Sequence, residues 1–185
     1  MAPEQVEHII THLHASLPGI AFASESGLSV SGEVAYFSYR SKHENVPPRT
    51  VETCVLWRAP SMKLMVRHDT LSIEALHERI AALLDSRLYS VTYSSTLFVE
   101  IALADVQKGA ALAALCAQYD IKAHEVIAFG DMPNDLPLLD WAGVGVAVAN
   151  AHPLVLQAAD AITLSNDEDG VAYMLEQLLE QNDLV

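Results

Sequence analysis

The sequence predicts an α/β protein made of two unlike parts: an α+β unit over residues 1–103 and, over residues 104–185, a parallel sheet with helices on both faces. Three observations carry this reading. Beyond Ala104, continuously apolar stretches such as VIAF (126–129) and VGVAVA (144–149) alternate with helical patterns, as parallel strands buried on both faces do. Before it, short apolar runs are punctuated by Gly, Pro and Ser, and YSVTYS and LFVEIAL follow each other around Ser94-Ser95, the pattern of paired strands. The chain is also 51% hydrophobic, enough for a sizeable core and too much for disorder.

The elements follow in order. Val6, Ile9, Ile10, Leu13 and Leu17 recur at helical spacing after Pro3, and Pro18-Gly19 ends that helix. Residues 20–40 read as strands interrupted at Gly27 and Gly32, and residues 41–61, with Pro47, Pro48 and Pro60, as a loop with helical pieces. A strand (MKLMV), a helix over 72–85 and the two strands already quoted complete the first part. The second part predicts a helix over 107–119, the strand EVIAF, a helix containing LPLLDWA and the strand VGVAVA. A helix over 152–158, the strand AITL and a last helix reaching 181 follow.

Composition removes several function classes. The net charge is −14, with 10 Lys+Arg against 24 Asp+Glu, and no basic stripe exists to displace counterions from nucleic acid. No apolar run has the length of a membrane span, and the N-terminal residues lack the basic and apolar regions of a secretory signal. Cys54 and Cys116 are the only cysteines, too few and too widely spaced for zinc or a disulfide framework. A soluble, cytoplasmic protein is expected. Its acidity repels a phosphorylated substrate unless a metal and a Lys reverse the local field.

The chemistry concentrates where EVIAF ends. Asp131, Asn134 and Asp135 follow Gly130 within one turn, at the carboxyl end of a parallel strand, where ligands of such sheets bind. Oxygen donors without His or Cys favour Mg²⁺ over zinc. The same residues also suit plain helix capping by Asp131, with Pro133 in the first turn. Lys108, at the start of the preceding helix, opposes the helix dipole, so it is either a solvated surface residue or one placed for a purpose.

The stretches DVQKGAAL, FGDMPNDLPLLDWAGVGVAVANAHPLVLQAAD and AITLSNDEDGVAYMLEQL resemble the C-terminal half of haloacid dehalogenase (HAD) superfamily phosphatases, in the Cof-like, sugar-phosphate-phosphatase branch. The resemblance runs from about 98 to 180, and residues 1 to about 97 look like that branch's α+β cap. It implies the C-terminal part of a HAD-like Rossmannoid core carrying a cap domain, with Mg²⁺ as cofactor and a small phosphorylated metabolite, such as a sugar phosphate, as substrate. By the same resemblance Lys108 holds the phosphoryl group, Asp131 binds Mg²⁺, Asp135 binds or orients it, and Asn134 contacts the phosphate region or positions Lys108.

The family's nucleophile and general acid lie in an Asp-x-Asp-Gly-Thr motif ahead of the cap, and residues 1–185 contain no such motif. Asp167-Glu168-Asp169-Gly170-Val171 imitates it poorly, standing beyond Ser165 and Asn166 from its strand. With Ser165 and Glu176 it also approaches an EF-hand spacing, but capping of the last helix is the expected role. Two functional readings follow. In one, the chain is a piece of a Mg²⁺-dependent phosphatase, truncated, split or given a late start, and inactive alone. In the other, it is a catalytically dead binding or regulatory module. Either way a sheet lacking its central strand is expected to self-associate or to need a partner supplying strands. His8, His12 and His14 read as a solvated helix face, His68 and His152 as isolated, and Tyr89 and Tyr93 as packing residues; Ser24, Ser26 and Ser29 lack the glycines of a nucleophile elbow.

Overall fold

The computed structural model describes residues 1–38 and 49–182. They form two compact units, Met1–Asp105 and Val106–Val185.

The first unit is a mixed, mainly antiparallel sheet in the order β3-β2-β1-β4-β6-β5. Its strands are β1 (Ile20–Ser26), β2 (Ser29–Gly32), β3 (Arg49–Thr50), β4 (Lys63–His68), β5 (Tyr89–Thr92) and β6 (Val99–Leu103). Phe22, Val66 and Val99 are successive register partners, so they share one face, and all three are fully buried. Helices α1 (Pro3–Ser16) and α3 (Ile73–Leu83) bury the apolar positions that the helical period sets apart, among them Val6, Ile9, Ile10, Leu13, Leu76 and Ile80. Ala21, Ala23 and Met65 make a second cluster with Tyr36. Tyr36 belongs to α2 (Val34–Ser38), which corrects the expectation of strands throughout 20–40. Glu33 explains the turn: its N–H donates to Phe22 O at 2.9 Å while its carboxylate accepts the Phe22 N–H at 2.8 Å, so β1 is satisfied there without further strand. Residues 39–48, the end of those expected strands and most of the expected loop, lie outside the described residues. The loop's described remainder contains the 3-10 turn Thr53–Val55.

The second unit holds the parallel sheet β7-β8-β9, with β7 (Ile127–Gly130), β8 (Val144–Ala147) and β9 (Ala161–Ile162). Around it lie α4 (Lys108–Gln118), α5 (Leu136–Trp141), α6 (Pro153–Ala158) and α7 (Gly170–Asn182). Ala128 and Ala147 from the sheet bury against Leu139 of α5 and Val155 of α6. Small residues permit the close packing. A Cβ on Gly109 would stand 2.1 Å from the Pro137 carbonyl oxygen, so only glycine lets the first turn of α4 reach the start of α5. Ile127 and Val144, register partners, remain 38% and 39% exposed.

Candidate functional site

Strand β7 ends at Gly130, and the chain then passes through Asp131 and Met132 into the 3-10 turn Pro133–Asp135 that leads to α5. The turn folds Asp135 back under the strand. Its Oδ2 accepts the N–H groups of Asp131 and Met132 at 3.1 and 3.2 Å. A Cβ on Gly130 would lie 2.7 Å from the Asp135 Cβ, so the glycine makes room for this return. Capping therefore falls to Asp135, and the alternative that gave it to Asp131 is overturned. The reason is the path of the turn: it brings the Asp135 carboxylate back onto the N–H groups of Met132 and of Asp131 itself, so Asp131 is one of the donors that are capped.

The other oxygen of Asp135, Oδ1, forms an ion pair with Lys108 Nζ. Asp135 is 4% exposed, whereas the Lys108 side chain is half exposed. Lys108 stands at the first position of α4, where the dipole disfavours a cation, and the buried carboxylate offsets that. Burial alone pushes the Asp135 carboxyl upward, but the Lys108 ammonium and the two backbone donors outweigh it and hold it below the usual range. Asp131 is shifted the opposite way. Burial and then the like charge of Asp135 raise it, against a smaller pull from Lys108.

Lys108, Asp131 and Asp135 together line a pocket of about 360 Å³, whose other lining residues are Phe129, Gly130, Leu138, Val148, Asn166 and Val171. Asn134 is not on this wall, but its Oδ1 is a buried acceptor with no hydrogen-bond partner. The spacing of GDMPND, read alone, leaves Asn166 and Val148 out of the site; nothing local announces residues contributed by the ends of β8 and β9.

The residues fit a hard divalent cation. All the donors offered are oxygens, and Asp131 carries a carboxylate whose charged form its surroundings disfavour, a penalty that a cation relieves. Among the described residues no group of three or more His, Cys, Asp or Glu side chains gathers to hold a metal, so water or a bound anion would supply most of the six positions Mg²⁺ requires.

Elsewhere the sequence motifs resolve into structural roles. Ser165 and Glu168 close on each other, Ser165 Oγ donating to Glu168 Oε2 at 2.8 Å, and Glu176 lies inside α7, so no calcium loop forms. His8 and His12 stack with ring centroids 6.0 Å apart. Tyr89 and Tyr93 are buried. No described helix is long and apolar enough to cross a membrane.

The sequence model of the haloacid dehalogenase-like hydrolases matches residues 1–175. Phosphatase YwpJ of Bacillus subtilis is 45% identical over 80 residues, 43% of this chain and 28% of that protein. The 5-amino-6-(5-phospho-D-ribitylamino)uracil phosphatase YcsE of the same organism is 32% identical over 141 residues, 72% of this chain and 56% of its own length. Other bacterial relatives are likewise matched over only 34% of their lengths. Among solved structures, the HAD subclass IIB sugar phosphatase BT4131 superposes with a TM-score of 0.77 over 96% of this chain and 67% of its own. At 21% identity that likeness establishes the fold.

Proposed function

The chain belongs to the haloacid dehalogenase-like hydrolases, and on that premise we propose that its second unit is the phosphoryl-binding end of a Mg²⁺-dependent phosphatase acting on a small phosphorylated metabolite, such as a sugar phosphate. One observation carries the reading: a half-exposed Lys108 ammonium is tethered by Asp135 beside Asp131, in a single pocket at the carboxyl end of β7.

In this reading Lys108 receives the phosphoryl oxygens and its charge opposes the field of an acidic protein. Asp135 keeps that ammonium in place through an ion pair whose carboxylate is buried and whose ammonium is half exposed. Asp131 would hold Mg²⁺, with Asp135 orienting it and Asn134 beside the phosphate region. The cation, when bound, neutralises charge that develops on the phosphoryl group. Phosphoryl transfer depends mainly on such positioning and neutralisation. The carboxylate that attacks phosphorus and the acid that protonates the leaving group are not among these residues, so the polypeptide of residues 1–185 binds without turning over. The names of the relatives, phosphatases of phosphorylated metabolites, support the substrate class. The two free thiols, Cys54 and Cys116, support a cytoplasmic setting.

The test combines binding and turnover on the polypeptide of residues 1–185. With Mg²⁺ present, inorganic phosphate should shift the Lys108 and Asp131 amide resonances, and Lys108→Ala should remove the response. p-Nitrophenyl phosphate and sugar phosphates should be hydrolysed no faster than in buffer. Phosphate shifts that survive Lys108→Ala would overturn the assignment, and turnover lost in Asp131→Ala would overturn the inactivity.

A further inference from the structure

Two exposed asparagines, sixteen residues apart, are joined in both directions. Asn150, just past β8, donates from Nδ2 to Asn166 Oδ1 at 2.5 Å. Asn166, past β9, donates its backbone N–H to Asn150 Oδ1 at 3.0 Å. Water offers both side chains the same partners, so burial does not demand the pairing.

What the pairing holds is the 148–152 loop, and this loop touches the site. Val148 N–H donates to Gly130 O at 3.3 Å and His152 N–H to Asp131 O at 2.8 Å. On its other side, Ala149 N–H donates to Leu164 O at 3.3 Å. The loop thus spans from the Asp131 main chain to the segment after β9, and the asparagine pair closes its far side. Asp131 needs such restraint. Its carboxylate is exposed and repelled by Asp135, with only a smaller pull from Lys108 against that repulsion, so the peptide groups around it carry much of its positioning.

We propose that Asn150 and Asn166 act as a clasp of positioning residues for Asp131, working through the His152 N–H bond to its carbonyl. The proposal rests on the reading of Asp131 as the cation-holding residue. Asn166 also lines the pocket that Lys108 and Asp131 line, so the clasp fixes part of the wall as well.

Backbone hydrogen exchange and Mg²⁺ titration, both followed by NMR on the full 185-residue chain, test this with Asn150→Ala, Asn166→Ala and the double variant. His152 N–H exchange is expected to rise about tenfold in Asn150→Ala, the loss of roughly one hydrogen bond's restraint. Mg²⁺ affinity read at the Asp131 amide should fall about tenfold, as when a partner that orients a ligand is removed. The double variant should be no worse than Asn150→Ala, because the two side chains form one device. A urea midpoint measured on each variant separates these local effects from general destabilisation. Unchanged His152 exchange, or unchanged Mg²⁺ affinity in variants of a protein that binds Mg²⁺, would overturn the clasp. A wild-type protein with no Mg²⁺ response at Asp131 would instead sink the functional reading from which the clasp derives its purpose.

Discussion

Asp135 Oδ1 is ion-paired with Lys108 Nζ while its Oδ2 receives two backbone N–H groups, so one buried carboxylate ties α4 to the end of β7. Removing it strands both amide donors and loosens the ammonium. Asp135→Ala should therefore lower stability by about 2–4 kcal/mol. Asp131→Ala, at an exposed position repelled by its neighbour, should stay within about 0.5 kcal/mol of wild type. Urea denaturation of the two variants measures the contrast, and equal losses would contradict the division of roles.

The same division predicts how the site binds. A cation held chiefly by Asp131 and completed by water binds weakly, and a phosphate anion on Lys108 adds oxygen donors beside it. Mg²⁺ and inorganic phosphate should each raise the other's affinity, by the same factor in both directions. Calorimetry in the presence and absence of the second ligand reads this. Asp131→Ala should abolish the enhancement, and independent binding would count against a shared pocket.

In the first unit, Glu33 is expected to contribute acid sensitivity. Burial pushes its carboxyl upward, but hydrogen bonds with His14 at 3.0 Å, with Thr53 and with the Phe22 N–H at 2.8 Å outweigh that and leave it below its ordinary 4.5. A depressed folded-state value means that the stabilisation is complete above about the unfolded value and disappears as pH falls from there through the folded one. Stability measured by urea between neutral pH and pH 3 should decline less steeply in Glu33→Gln than in wild type. Identical slopes would show that other carboxylates govern acid unfolding.

Strand β7 heads the order β7-β8-β9, and its residues Ile127–Gly130 contain neither charge nor proline. Such an edge invites pairing, and exposed Ile127 and Val144 extend it with apolar surface. The 185-residue chain is expected to self-associate with rising concentration, and Ile127→Lys, which places a charge on that edge, should reduce it. Analytical ultracentrifugation decides; a wild-type protein monomeric at high concentration would refute the expectation.

Much of the fold is legible in the sequence, because periodicity is a local property. The helical spacing of Val6, Ile9, Ile10 and Leu13 and the unbroken apolar runs of β7 and β8 reflect only which neighbours must be buried. Val34–Ser38 escaped because five residues are too few to display a helical period, and the Glu33 bonds that end β1 join positions eleven residues apart. The site divides in the same way. Asp131, Asn134 and Asp135 stood out within one turn of chain, and Lys108 by its unfavourable place on a helix start. The tertiary structure decided which aspartate is buried and paired and which faces the pocket, since that depends on α4 closing over Gly109 to bring Lys108 to a residue 27 positions away. It also decided that Asn150 and Asn166 meet. Both lie in stretches that the sequence singles out, but nothing there pairs them, and their bond exists only because β8 and β9 run parallel and so deliver both residues to the same end of the sheet.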